Sequence, residues 1–260
     1  MLFPQIRTHG VLQDWATRGM ELLRSSNHLA DGSRLHGAWI RPLIRSWRLR
    51  YVGLTVEESS RLRELIGESR DAADGFTFID PWSNMLSYSE DLGAVVWQAS
   101  AFSEVIRVNA GDPGEAIHSI RSLSAGIEGL EQVISLGGFG VFCFSCEVRS
   151  DNRATGRLVL QGGSQTSEFS FVTGPTWRLV WVVGEFSQPV EQLRAVIEVG
   201  PGETALVRGV ELDYQATPSL YKPSYKAGGV HSGARVVEER FVQTLRGQGW
   251  FDCELEVRVD

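Results

Sequence analysis

The chain has 260 residues, 42% hydrophobic and 22% charged, an ordinary globular composition that can hold one large domain or two modest ones. Its formal net charge of −7 argues against a nucleic-acid-binding role, and three cysteines are too few for a disulfide framework. No apolar run approaches the ~20 residues of a membrane span, and the start, Met1 to Arg7, lacks a basic region followed by an apolar run, so neither membrane insertion nor a signal peptide is expected. The charge is unevenly placed: residues 1–83 balance at +1, residues 84–226 at −6 and residues 227–260 at −2, which sets the middle apart as a separate domain. Of the 25 basic residues only Lys222 and Lys226 are lysines. Arginine suits planar interface ion pairs, and the codon bias of a GC-rich genome would give the same count.

Residues 1–54 read as strands with turns. Asp31-Gly32 is a hairpin signal between Leu29 and Leu35. Trp47, Leu49 and Tyr51 alternate with Arg48 and Arg50, giving a half-buried strand with one apolar and one cationic face. One helix is marked over about 55–67. Thr55 is its N-cap, Glu58 completes a capping box, Leu62, Leu65 and Ile66 share a face, and Gly67 is its expected stop. Phe76 to Ile79 is a further strand, ended by Asp80-Pro81.

From Val105 to Tyr221 the sequence is almost wholly strand-like. Short apolar runs at 133–134, 141–144, 158–160, 169–171, 179–183, 194–199 and 206–212 are separated by turn signals such as Gly137-Gly138, Gly162-Gly163 and Gly174-Pro175. That pattern predicts a β-sandwich or jelly roll. The end is a clean alternating strand, with Phe251, Cys253, Leu255, Val257 and Val259 on one face. Residues 1–83 are small for a core and residues 227–260 smaller. Together they make one discontinuous β domain with one helix, into which residues 84–226 are inserted as a jelly-roll sandwich. The fold class is mainly β.

Two sets of residues resemble known families. Asn84, Leu86, Ser89-Glu90-Asp91 and Trp97 resemble the N-L-L-x-x-S-E-D-F…W opening of the carbohydrate-binding-module-like sandwiches of phage tail proteins. Gly209 to Asp213 and Pro218 to Ser224 resemble the closing G-x-Q-L-E…P-S-x-Y-x-P-T pattern of that family, and Trp177-Arg178 its late-strand W-x-R pair. Departures are Met85, Leu92 in place of Phe, and Glu211 in place of Gln. The flanking pattern Trp47-x-Leu49-x-Tyr51…Gly53-Leu54-Thr55…Glu58, closing on Phe76 to Pro81, is similar to the belt domain of distal tail or baseplate proteins of siphophages and gene transfer agents. The resemblance implies a virion structural protein, made in the bacterial host cytoplasm. It would form a homo-oligomeric, hexameric ring between tail tube and baseplate hub, with a sandwich that grips host cell-surface polysaccharide for attachment. The ring interface would use the cationic strand face at Arg48 and Arg50. The rival reading is an adhesin, a glycan-binding module of a tail fibre or tail tip that forms no ring.

No residue pattern demands catalysis, and no enzyme, cofactor or metal is expected. Cys143 and Cys146 have C-x-x-C spacing but lie in a predicted strand, where positions three apart face opposite sides. His9, His28, His36, His118 and His231 fit no zinc or nucleophile motif. Gly137 to Gly140 lacks the Lys-Ser/Thr of a phosphate loop, and the pairs Glu57/Glu58 and Glu238/Glu239 read as caps or solvated faces. Trp97, Trp177 and Trp181 are the aromatic rings available for a sugar platform, although their placement in apolar strands favours burial.

Overall fold

The computed structural model describes residues 1–6, 15–21, 26–28, 34–36, 44–71, 75–108, 116–237 and 242–259. In chain order these form β1 (Trp15–Glu21), β2 (Ser26–His28), β3 (Arg34–His36), β4 (Ile44–Leu54), α1 (Val56–Asp71), β5 (Phe76–Ile79), β6 (Gln98–Ala99), β7 (Ser103–Arg107) and β8 (His118–Ser122). They continue with β9 (Glu128–Arg149), β10 (Ala154–Gly162), β11 (Gln165–Thr173), β12 (Arg178–Val199), β13 (Thr204–Asp213), β14 (Val230–Val236), β15 (Gln243–Gly247) and β16 (Trp250–Val259). The chain divides into two compact units. One comprises Phe3–Phe78 with His231–Asp260, the other Met1–Leu2 with Ile79–Val230.

The first unit is built on a sheet of order β1-β4-β16-β14-β5, with β15 on β16. The period-2 alternation of β4 puts Trp47, Leu49 and Tyr51 in the core with Leu255 and Val257 of β16. Trp47 packs against Phe78 at 4.9 Å between ring centroids, and Phe3 meets Phe78 edge-on at 5.5 Å. The helix begins as its capping box dictates: the Glu58 amide donates to Thr55 Oγ1 at 3.2 Å and the Thr55 amide to Glu58 Oε2 at 3.1 Å. It does not stop at Gly67 but runs to Asp71. Gly67 has open space around its Cα, so it costs only its helix propensity, about 1 kcal/mol, while Leu62, Leu65 and Ile66 are buried on the opposite face. Strands β2 and β3 pair antiparallel; the predicted turn Asp31-Gly32 between them lies outside the described residues, as do His9 and Glu238/Glu239.

The second unit is one curled antiparallel sheet of order β11-β10-β12-β9-β13-β8-β7. Several separate strands were expected where the structure has two very long ones. The 22-residue strands β9 and β12 pair along almost their whole length, from Arg178↔Val148 to Val199↔Glu128, with register shifts only between Phe186 and Gln192. Gly137-Gly138 therefore marks no turn but an irregularity inside β9. Gly137 has φ 68°, and at Gly140 a Cβ would come within 2.5 Å of the Tyr214 ring. The first half of β9 and the second half of β12 continue into β10 and β11. The second half of β9 continues into β13 and β8. The two layers enclose one core of Leu130, Ile134, Phe142, Phe144, Phe186 and Ile197, among others. This is a jelly-roll sandwich.

Its two ends are tied by the opening and closing motifs. Asn84 Nδ2 donates to the Val210 carbonyl at 2.8 Å, and Asn84 Oδ1 accepts from the Leu86 and Leu212 amides at 3.0 and 3.1 Å. Ser89 and Ser224 bond reciprocally, each amide donating to the other hydroxyl at 2.9 Å, and Ser224 Oγ donates to the Leu86 carbonyl at 2.7 Å. All three side chains are buried. Asn84→Ala removes the partners of three buried backbone groups at once. It is expected to lower the unfolding free energy by about 3 kcal/mol, read from urea denaturation at constant m; a loss under about 1 kcal/mol would show that the two motifs hold together without it.

Candidate functional site

Among the described residues, the sequence candidates fall as follows. Trp97 is in the sandwich core, its Nε1–H donating to the Tyr88 carbonyl at 3.1 Å. Trp177 is half-buried beneath Arg208, whose guanidinium carbon lies 4.4 Å from the ring centroid. Trp181, expected to be buried, is 46% exposed, because β12 is apolar on both faces here: Val180 and Val182 enter the core while Leu179, Trp181 and Val183 face out. Cys143 and Cys146 are free buried thiols on opposite faces of β9. Burial pushes the Cys143 thiol up to about 12, with Asp213 and Glu211 adding to the effect, and burial raises Cys146 as well, so neither offers a thiolate at neutral pH. His118 is buried, its Nε2 accepting from the Leu92 amide at 3.2 Å; burial first, then Arg107, hold its pKa below the ordinary imidazole value. His231 packs on Trp47.

Arg48 faces out of β4 with Arg50, and the register sets both opposite the acidic face of β16: Arg50↔Glu254 and Arg48↔Glu256. Arg48 forms ion pairs with Glu254 at 3.6 Å and Glu256 at 3.5 Å. The acidic neighbours of this cationic strand thus include residues of the same chain. With the Arg48 side chain 54% exposed, such pairs contribute little stability, about 0–1 kcal/mol.

A buried ionic cluster lies under the closing motif. Lys222 Nζ bonds Asp213 Oδ1 at 2.6 Å and pairs with Glu211 Oε1 at 3.0 Å, while Ser219 Oγ bonds both carboxylates. Tyr221 OH bonds Glu90 and lies 2.8 Å from Ser89 Oγ. Burial, then the neighbouring Asp213 charge, push Glu211 up to about 7 against the pull of Lys222. The carboxylates of the cluster are covered rather than open to a substrate: Glu211 is 1% and Asp213 4% exposed, with Lys222 and Ser219 lying over them at the surface. It reads as the fastening of the sandwich.

An open site lies elsewhere, on the outer face of the layer made by β11, β10, the second half of β12 and the first half of β9. A groove of about 530 Å³ runs over it, rimmed by Gln98 and Ser100. The register generates its floor as cross-strand rows: Glu131, Val196, Val159, Glu168; then Arg194, Gln161, Thr166; and Glu198, Arg157. Arg194 bonds Glu131 and, at 2.8 Å, Gln161 Oε1; Arg157 bonds Glu198 and, at 3.0 Å, Glu168. Each guanidinium thus engages two of its five N–H groups in these bonds. Val159 and Val196 supply a narrow apolar strip between the two charged rows. Among the described residues, none that lines the groove is aromatic. This site is not legible in the sequence alone. Its signal was present in the alternations Arg157-x-Val159-x-Gln161 and Arg194-x-Val196-x-Glu198, but nothing in one sequence shows that those strands are neighbours.

No protein-family model matches the sequence, and no curated protein matches it. Over about half of its length the chain is similar to solved carbohydrate-binding modules. One is the C-terminal family 22 module of Clostridium thermocellum Xyn10B (15% identity, 54% of this chain and 99% of that one, TM-score 0.42). Another is TmCBM61, solved in complex with β-1,4-galactotriose (14% identity, 51% and 99%, TM-score 0.40). It is also similar to the enzymatically active domain of bacteriophage CBA120 tailspike protein 4 (10% identity, 53% of this chain and 22% of that one, TM-score 0.40).

The cluster makes stability depend on pH in a definite direction. A carboxyl that holds its proton more tightly when folded than when unfolded stabilises fully below the unfolded pKa. That stabilisation is lost as pH rises through the folded value. Glu211→Gln, neutral throughout and leaving Lys222 its bond to Asp213, should therefore gain melting temperature relative to the parent as pH rises from about 4.5 to about 7. A parent–variant difference that is flat over that range in differential scanning fluorimetry would show that Glu211 is not the titrating group.

Proposed function

We propose that the protein is a structural component of a phage-type tail, the distal ring that joins tail tube to baseplate hub, and that its sandwich unit binds host surface glycans in the groove. The observation that carries the glycan reading is the groove itself. It presents spare guanidinium N–H groups and glutamate and amide oxygens beside a valine strip, the mixture of directional polar groups and small apolar surface that a polyhydroxylated ring requires. The tail reading rests on the sequence motifs at 84–97 and 209–224 and on the interleaving of β4, β5, β14 and β16, by which one unit is assembled from both ends of the chain. The role is non-catalytic, and the protein acts from the tail of a virion or gene-transfer-agent particle. A ring of identical subunits would multiply weak glycan binding through avidity.

Negative-stain electron microscopy of the full chain over a concentration series is expected to show closed sixfold rings. Monomers or trimers at every concentration, with glycan binding intact, would favour the fibre-tip module. Arg48→Glu with Arg50→Glu is expected to abolish the rings while shifting the unfolding free energy by no more than about 1–2 kcal/mol, since the pairs lost within the chain are exposed ones. Rings that persist in that variant would remove the interface from this strand.

A further inference from the structure

We infer that the groove selects uncharged glycans, held edge-on by hydrogen bonds rather than by stacking, and that it rejects polyanionic ones; this rests on the glycan reading above. Three observations lead there. First, among the described residues no aromatic ring lines the groove. The exposed Trp181 stands in the first half of β12, whose ladder partner is the second half of β9, away from the rows that form the floor. A sugar ring therefore has no platform for its C–H face. Secondly, the floor carries Arg157 and Arg194 against Glu131, Glu168 and Glu198, an excess of one negative charge. Both arginines are already neutralised by glutamates. A uronate or sulfate entering to reach a guanidinium must displace a carboxylate that the protein holds beside it, or sit among three like charges. Thirdly, what remains unsatisfied is suited to hydroxyls. Planar guanidinium and amide groups have spare donors, and carboxylate oxygens are free to accept, so vicinal hydroxyl pairs can be met by adjacent donor and acceptor groups.

The ion pairs thus act as specificity elements. They fix the guanidinium forks and cancel the charge that would attract an acidic polymer. Because the ligand is uncharged, its affinity should be nearly independent of ionic strength, whereas a polyanion held by arginine would be released by salt.

The test uses the full chain. It is titrated by calorimetry with neutral oligosaccharides (cello-, xylo- and galacto-oligomers) and with polygalacturonate and hyaluronan, at low salt and at about 0.5 M NaCl. Binding is expected for at least one neutral series, changed less than about twofold by salt, with both acidic polymers at least about tenfold weaker. Gln161→Ala and Arg194→Ala should each weaken it about tenfold, and Trp181→Ala should leave it unchanged. Arg194→Ala leaves Glu131 without its partner, so Gln161→Ala, a neutral truncation, guards against a folding defect. Preference for the acidic polymers would overturn this inference and leave the glycan reading standing. Loss of binding in Trp181→Ala but not in the groove variants would overturn it by moving the site to the exposed row of Leu179, Trp181 and Val183. Failure to bind any of these glycans would overturn both.

Discussion

The pairing of β9 with β12 is the constraint from which the sandwich follows. Both strands are 22 residues long, several times the usual length, and their shared ladder crosses from one layer of the curled sheet to the other. Even-numbered residues of β9 face the core on either side of Gly137, from Leu130 through Phe142 to Val148. Inside and outside are therefore assigned once for both layers. The register shifts between Phe186 and Gln192 fall opposite the glycines of β9, so the irregularities of the two strands coincide and the ribbon can turn without losing its alternation. Everything outside the core, including the groove floor and the row Leu179, Trp181, Val183, takes its position from that one register.

The ribbon leaves the two ends of the insertion to be closed, and this is done with buried polar groups rather than apolar ones. Asn84 adds to the backbone bond from the Met85 amide to the Leu212 carbonyl, its side chain meeting the Val210 carbonyl and the Leu212 amide of β13. Ser89, Ser224, Tyr221 and Glu90 then fasten the exit. Polar closure is demanding, since a single missing partner leaves a buried group unsatisfied. In return it specifies one geometry, where an apolar closure would tolerate several. The residues by which the sequence resembles tail-protein sandwiches are thus largely the residues of this fastening. The resemblance is a statement about how the unit is closed, not about what it binds.

That distinction explains what could be read from the sequence. Local rules are carried by neighbours in the chain, and they worked where neighbours decide. The capping box at Thr55 and Glu58, the alternation at Trp47 to Tyr51 and that at Phe251 to Val259 all appear in the structure. They misled where tertiary pairing overrides them. Gly67 does not end α1, because the buried face of the helix outweighs one exposed glycine. Gly137-Gly138 does not end a strand, because β12 pairs on either side of it. Trp181 lies in an apolar run yet faces outward, since a run apolar on both faces does not say which face the second layer covers. The groove was illegible for a different reason. Its charged residues come from four strands between residues 128 and 199, and only the strand order brings Arg157, Arg194 and Glu131 together.

Arginine–glutamate pairs recur across these outer faces: Arg48 with Glu254 and Glu256, Arg157 with Glu198 and Glu168, Arg194 with Glu131, Arg208 with Glu147. As stabilising elements they are weak, being a fifth to a half exposed and screened by salt. What they supply is orientation. A lone guanidinium on a long side chain samples many rotamers and must lose that freedom on meeting a ligand or a neighbouring subunit. One held by two carboxylates in a cross-strand row has already lost it, and its remaining N–H groups point in fixed directions. Lysine, a mobile point charge, could not do the same, and this chain has almost none. The arginine-rich composition that codon bias could also produce therefore has a structural use here. It gives both faces, the strand β4 and the groove, polar groups that are held in place within the chain.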